Sequence, residues 1–451
     1  MALRRSKQSR GKSYLFFFLL ALLAIGSATI FVLFFEGNKP GVNLIKPQTS
    51  LGKYGEIHIQ VSDAGSGLRS IAVSAEQGSV SKVLLHEEYP RTAYQGAAGP
   101  LEVEKSVNFA VAEEGFADGE LTLTVKATDF SWRGWFQGNK TVIQRKVTID
   151  TEPPRLQILH SQRYLLQGGS GIAIYQNSDS DARHGVELAN RFHPGFPIGD
   201  GRDDTYIAYF AMPYDLQQLD NLQVVATDVA GNNAAVSFKP TVKKSAFKKD
   251  SITISDSFLE AKIPEFEQYA EEMTGDSLEK YLYTNQIMRV ENNRRISQLC
   301  DQPSAERYWQ GNFRRMPGAS RAGFADHRTY LYHGQVIDQQ VHLGVDIAST
   351  RNAEVRAANA GRVIFADYLG IYGNMVLVDH GQGIFSLYSH LSQMRVSPGD
   401  MVDTTSVLGL TGTSGMAGGD HLHFSVLING EFVTPVEWWD QNWLEVNIEE
   451  P

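Results

Sequence analysis

Residues 14–35 read YLFFFLLALLAIGSATIFVLFF, with no charge and no proline. As a helix rising about 1.5 Å per residue, this run spans about 33 Å, enough to cross a hydrocarbon core of roughly 30 Å. A cleaved signal peptide usually has a shorter apolar segment that ends at a small-x-small site. Here Ala24, Gly26 and Ala28 lie inside the run, and aromatic and branched residues follow them. The run therefore reads as an uncleaved signal anchor. Arg4, Arg5, Lys7, Arg10 and Lys12 precede it, and Glu36 follows. By the positive-inside rule, residues 1–13 form a cytoplasmic tail, residues 14–36 anchor the chain in an inner membrane, and the rest lies in the periplasm.

Composition narrows what lies beyond the anchor. The chain has 451 residues, 42% hydrophobic and 20% charged. It is too apolar for a disordered tail and long enough for about two to four domains. Acids outnumber Lys and Arg by 51 to 41, for a net charge of −10, and five of those 41 lie before the apolar run with no acid among them. A surface so acidic repels phosphate backbones, which excludes nucleic acid as a partner. Cys300 is the single cysteine, so there is no internal disulfide and no Cys-based metal cluster.

From Gly55 the sequence turns strand-like. Ile57, Ile59 and Val61 alternate with His58, Gln60 and Ser62, the period-two pattern of a half-buried strand. A turn signal, Asp63-Ala64-Gly65-Ser66-Gly67, follows, and further strands are expected at residues 68–73, 103–111, 121–127 and 142–149. Short strands between Gly/Asp/Ser turns indicate an immunoglobulin-like sandwich over residues 42–152. Val125-Lys126-Ala127-Thr128-Asp129 returns as Val224-Val225-Ala226-Thr227-Asp228, 99 residues on, and predicts a second sandwich over residues 153–242. Asp63, Asp129 and Asp228 are of calcium-ligand type but lack a regular spacing, so they are read as solvated turns. The two modules read as spacers or as binders of an envelope protein partner. Residues 250–305 shift to helical periodicity. Ser257-x-x-Glu260 resembles a capping box before an apolar face of Phe258, Leu259, Ile263 and Phe266, broken at Pro264. A second helix starts at Asp276-Ser277-Leu278-Glu279. Packing on the next domain is the expected use of this connector, with cover of a cleft the lesser alternative.

The chemistry lies between His342 and His423. In an extended chain His342, Gly344 and Asp346 share one face while Leu343 and Val345 pack on the other, and the glycine leaves room for an ion or ligand. His421-Leu422-His423-Phe424 repeats the arrangement with two imidazoles, and Tyr388-Ser389-His390-Leu391 places Tyr388 and His390 on one side. Each histidine alone reads as an ordinary polar residue. Together, a His/His/Asp set without thiolates suits one open, catalytic Zn²⁺ site.

These segments resemble the signature motifs of the LytM/lysostaphin-type zinc metallopeptidases, peptidase family M23. The resemblance extends over roughly residues 311–440. It includes Gly373-Asn374 through Asp379-His380-Gly381, Tyr388 to Leu391, Gly409 to Gly415, and upstream Phe324, Arg328 and Tyr330. It implies an antiparallel β domain over residues 306–451, with zinc on a groove floor and cleavage of peptide bonds in peptidoglycan. It also implies that His342, Asp346 and His423 hold the zinc, that His421 is the general base and that His390 steadies the oxyanion. Tyr388, Asn374 and Gly344 are expected along the substrate groove. The sequence departs from the family at Ser425, where Glu is common, and at Asp420, where Pro is common.

The expected chain is thus mainly β: one transmembrane helix, two tandem immunoglobulin-like sandwiches, a helical connector and an antiparallel-β peptidase domain. Its expected function is that of a membrane-anchored zinc endopeptidase acting on the peptide stems of peptidoglycan. The rival reading is a noncatalytic LytM-type regulator that binds and activates a cell-wall amidase. Relatives of that kind typically lack ligand residues, whereas His342, Asp346 and His423 are all present here.

Overall fold

The computed structural model describes residues 10–449 except 48, 94, 95, 200 and 271. Arg4, Arg5 and Lys7 of the expected tail lie outside the described residues. The chain is mainly β and divides into two compact units, Met1–Pro153 with Asp228–Asn232, and Pro154–Thr227 with Asn233–Pro451.

In the first unit the helix Arg10–Phe34 contains a segment, Ser13–Val32, of mean hydropathy 2.6 and no burial. It is long and apolar enough to cross a membrane. Trp132 stacks on Phe34 at the helix end, with ring centroids 4.2 Å apart. Glu36 lies beyond the helix and turns back on Ser66, accepting from its N (3.3 Å) and Oγ (3.1 Å).

Two sheets follow. One has the order Gly41–Lys46, Tyr54–Ser62, Glu102–Ala110; the other runs Ser50–Leu51, Lys140–Ile149, Gly119–Asp129, Leu68–Gln77, Val80–Glu88. Ile57, Ile59 and Val61 from the first share a core with Ile71, Val73, Leu121 and Val125 from the second. The alternation seen in the sequence is what turns those side chains to one face. Val80–Glu88 has no counterpart in the sequence reading. It is an edge strand with scarcely any burial, so it carries little apolar periodicity.

The acidic turns differ from expectation. Asp63, Asp129 and Asp228 are 2%, 0% and 8% exposed rather than solvated. The reason is that each carboxylate caps its own turn. Asp63 Oδ2 accepts from the amides of Gly65 and Gly67, and Asp129 Oδ1 from those of Ser131 and Asn139. The sequence echo has a structural counterpart. Asp129 accepts the amide and side-chain nitrogens of Asn139, as Asp228 accepts those of Asn232.

In the second unit, the region expected as another sandwich forms a long sheet whose two edge strands, Asn233–Ser237 and Leu156–Ser161, lie against each other. A single seven-stranded sheet has the order Asn233–Ser237, Gln223–Thr227, Arg183–Leu188, Arg191–Pro197, Thr205–Ala211, Ser170–Asn177, Leu156–Ser161. One face buries Tyr175, Val186, Phe210 and Val224. On the other, Ile172, Ile174, Ile207 and Tyr209 join a core with Trp309, Phe313 and Trp438. Covered on both faces, Thr205–Ala211 is buried at every position, and TYIAYFA shows no alternation. At this seam Ser170 N donates to Glu437 Oε2 (2.7 Å) and Trp438 Nε1 to Ser170 Oγ (2.9 Å). Burial pushes the Glu437 carboxyl up to about 8, against that amide bond.

The connector begins with a strand, Lys249–Ile254, parallel to His327–Tyr332. Its first helix is capped by Ser255, which accepts from Phe258 N, rather than by Ser257, and it runs through Pro264 to Glu267. Buried Leu259, Ile263 and Phe266 hold it across the proline. The next helix starts as expected, with Asp276 and Glu279 forming a reciprocal capping box. An eight-stranded sheet carries the chemistry. Its inner strands Asn374–Gly381, Ile384–Leu391 and Leu422–Ile428 are buried almost end to end.

Candidate metal centre

Asp346 and His423 are cross-strand partners on the neighbouring strands Val345–Ala348 and Leu422–Ile428. His342 enters from the bend before the first strand, fixed by backbone bonds in which Ala325 N donates to His342 O and His342 N to Asp326 O. His342 Nε2, His423 Nδ1 and Asp346 Oδ1 lie 2.9, 2.9 and 3.0 Å apart pairwise. All three residues are buried.

The distal hydrogen bonds fix where the imidazole protons sit. His342 Nδ1 meets the Gly323 carbonyl at 2.8 Å, and a carbonyl only accepts, so that nitrogen carries the proton and Nε2 is bare. Ser425 Oγ donates to Leu343 O (2.7 Å) and is then free to accept from His423 Nε2 (3.1 Å), which leaves His423 Nδ1 bare. Two lone pairs and a carboxylate oxygen therefore converge with no proton between them. Such a triangle is repulsive unless a cation fills it, and its edges are within a few tenths of the ~3.3 Å between ligands of a tetrahedral zinc bonded at about 2.0–2.1 Å. The donor set and geometry fit Zn²⁺.

Two more imidazoles are arranged alike. His421 Nδ1 donates to Gly419 O (2.7 Å), and its Nε2 stands 3.5 Å from Asp346 Oδ1. His390 Nδ1 donates to Ser414 O (2.8 Å), and its ring lies 4.9 Å from that of His421. Burial, then the neighbouring imidazoles, hold His390 well below the usual imidazole range. Burial also brings His423 down to about 4. For His421 burial acts downward too, but the Asp346 carboxylate outweighs it and the net shift is upward. Against its own burial, Asp346 is held well below the carboxylate range by the surrounding imidazoles. Arg328 Nη2 donates to its other oxygen at 2.9 Å. Arg328 sits inside the resembling upstream segment, but only the fold reveals this bond.

A cavity of about 450 Å³ opens over these groups. Connector residues Ile252, Ile254, Phe258 and Tyr281 line it together with Tyr372 and Met416. The connector also grips the glycine-rich loop. Lys262 Nζ donates to Thr413 O, and Gly415 N donates to Glu265 Oε1. The connector packs on the following domain as expected, Leu259, Ile263 and Tyr281 against Tyr330 and Ile296 against Leu377, and it also lines one side of the cavity.

Three expected groove residues stand elsewhere. Tyr388 is 1% exposed, with its hydroxyl accepting from Ala358 N. Its side chain leaves the His390 face because His390 adopts φ +61°, which breaks strand alternation. Asn374 holds the loop behind His390 and does not line the cavity: its N donates to Ser414 Oγ and its Nδ2 to Leu391 O. The space beside Gly344 is filled by the His423 ring and Ser425 Oγ, so the glycine makes room for a neighbouring side chain rather than for substrate.

The model of peptidase family M23 matches residues 340–435. The DD-carboxypeptidase/endopeptidase Mpg of Neisseria meningitidis serogroup B is 36% identical over 107 residues, covering 24% of this chain and 25% of that one. The murein hydrolase activator EnvC of Escherichia coli K12 is 39% identical over 95 residues, covering 21% of this chain and 23% of that one. A zinc-containing peptidase from Vibrio cholerae aligns with 70% of this chain and 80% of its own, at 15% identity and a TM-score of 0.27. The chain spans about a quarter of the length of the curated relatives it matches. Residues 340–435 of this protein are therefore a domain of peptidase family M23.

Proposed function

We propose that the protein is an inner-membrane-anchored, periplasmic zinc endopeptidase that hydrolyses peptide cross-links of peptidoglycan. The observation that carries this reading is the proton-free triangle of His342 Nε2, His423 Nδ1 and Asp346 Oδ1, with two further bare imidazole nitrogens facing the same cavity. In this reading those three side chains hold the metal. Zinc there would supply a Lewis acid and lower the pKa of a bound water from 15.7 to about 7.

The chain's own groups do the rest. His421 offers Nε2 to take a proton from the attacking water, and the adjacent Asp346 stabilises the imidazolium that results. His390, with Nδ1 committed to Ser414 O, is an acceptor at Nε2 while neutral, and turns an N–H toward growing charge only once protonated. Arg328 holds Asp346 so that one carboxylate oxygen stays on the metal side. Arg321 lines the cavity and forms no ion pair with a described carboxylate, which suits a stem peptide bearing free carboxylates. The helix Arg10–Phe34 is the anchor.

Similarity to a murein hydrolase activator supports a second reading, in which the groove binds and stimulates a wall amidase. Digestion of isolated sacculi by the zinc-loaded full chain separates the two. New peptide termini support the peptidase. Zinc binding without new termini, together with faster amidase action, supports the regulator and overturns the peptidase.

A further inference from the structure

A second cluster of carboxylates lies in the first unit, apart from the M23 domain. One oxygen each from Glu36, Asp63 and Asp129 falls within 4.8 Å of the other two. Asp63 and Asp129 are 2% and 0% exposed.

The hydrogen bonds around the cluster are lopsided. Glu36 Oε1 accepts from Ser66 N and Oγ, yet Glu36 Oε2 is buried without a partner. Asp63 Oδ2 accepts from Gly65 N and Gly67 N, yet Asp63 Oδ1 is buried without a partner. Asp129 is held in place by Ser131 N and both nitrogens of Asn139. Thus backbone and amide donors orient each carboxylate, while two oxygens are left with nothing to accept. A buried acceptor without a donor costs about 1–3 kcal/mol, more when charged. No Lys or Arg among the described residues forms an ion pair with any of the three. Space is kept for them as well, since a Cβ on Gly65 would strike the Glu36 carboxylate.

We propose that Glu36, Asp63 and Asp129 bind a calcium ion that ties the chain leaving the N-terminal helix to two turns of the first sandwich. All the donors are hard oxygens, with no imidazole or thiolate, which selects Ca²⁺ over Zn²⁺. The unequal contributions of the three residues suit calcium's flexible shell of 6–8 oxygens better than the strict octahedron of Mg²⁺. Water completes the shell. Glu36 is the second residue beyond the helix Arg10–Phe34, so the bound ion fixes how the chain emerges from its anchor.

Equilibrium dialysis of the full chain in detergent against ⁴⁵Ca²⁺ tests this. The wild type should take up one ion saturably at or below the ~10⁻³ M typical of extracellular calcium modules. Glu36→Gln and Asp63→Asn should each weaken uptake at least ~10-fold. His423→Ala should bind calcium as the wild type does, which separates this site from the M23 domain. Should the carboxylate variants fail to fold, terbium luminescence sensitised by tryptophan, abolished by calcium and lost in Trp132→Phe, three residues from Asp129, locates the ion. Absence of saturable uptake by the wild type, uptake unchanged in a folded Glu36→Gln, or no sensitised terbium emission overturns it.

Discussion

Ser425 Oγ stands 3.1 Å from His423 Nε2 while donating its own proton to Leu343 O at 2.7 Å. This one hydroxyl thereby fixes the tautomer of His423 and turns Nδ1 toward His342 and Asp346. Replacing it with alanine frees the ring to flip or change tautomer. Ser425→Ala is expected to weaken zinc binding ~10–100-fold while leaving the fold intact, measured by competition with a chromogenic chelator.

Gly344 has a different task. A Cβ there would come within 2.6 Å of the His423 ring and of Ser425 Oγ. Gly344→Ala should therefore displace a proposed ligand and strain the packing, costing about 1–3 kcal/mol. Thermal unfolding should move down, and zinc content should fall with it. A variant with wild-type zinc content would show that His423 has more freedom than its contacts indicate.

Arg321 tests substrate recognition rather than chemistry. It lines the cavity without an ion-pair partner among the described residues. Arg321→Ala should raise KM about tenfold for stem peptides with free carboxylates and leave kcat nearly unchanged, since a contact made equally in ground and transition states acts only on binding. Amidated stems should show a smaller change.

Glu437 governs a pH dependence away from the metal. Its folded carboxyl is raised from 4.5 to about 8 by burial. Between those values the folded chain holds more protons than the unfolded one, so stability falls as pH rises through that window, by up to about 1.4 kcal/mol per unit. Glu437→Gln retains an acceptor for Ser170 N and should flatten this slope in denaturant titrations across the window. An unchanged slope would place the titrating group elsewhere.

The sequence made His342, Asp346 and His423 legible because each sits in a short motif next to residues that must enter a core. Leu343, Val345, Leu422 and Phe424 fix which way the polar partners face. Tyr388 was illegible for a local reason: His390 takes a left-handed backbone, and alternation does not survive it. The seven-stranded sheet hid its partner surface because Thr205–Ala211 is apolar on both faces, and a pattern cannot say what covers each. Glu36 read as the flank of a membrane span, and Asp63 and Asp129 as separate turns. Only the folding of two sheets over one core brings them together.

In the proposed reaction one metal ion and His421 act together to cut peptide cross-links. Zinc content and cleavage of a defined cross-linked muropeptide, measured on the same preparations of wild type and His421→Ala, test it most directly. One zinc per chain is expected in both, with turnover lowered ~10²–10⁴-fold in the variant. Equal turnover in the two proteins, or cleavage by wild type stripped of zinc, would contradict it.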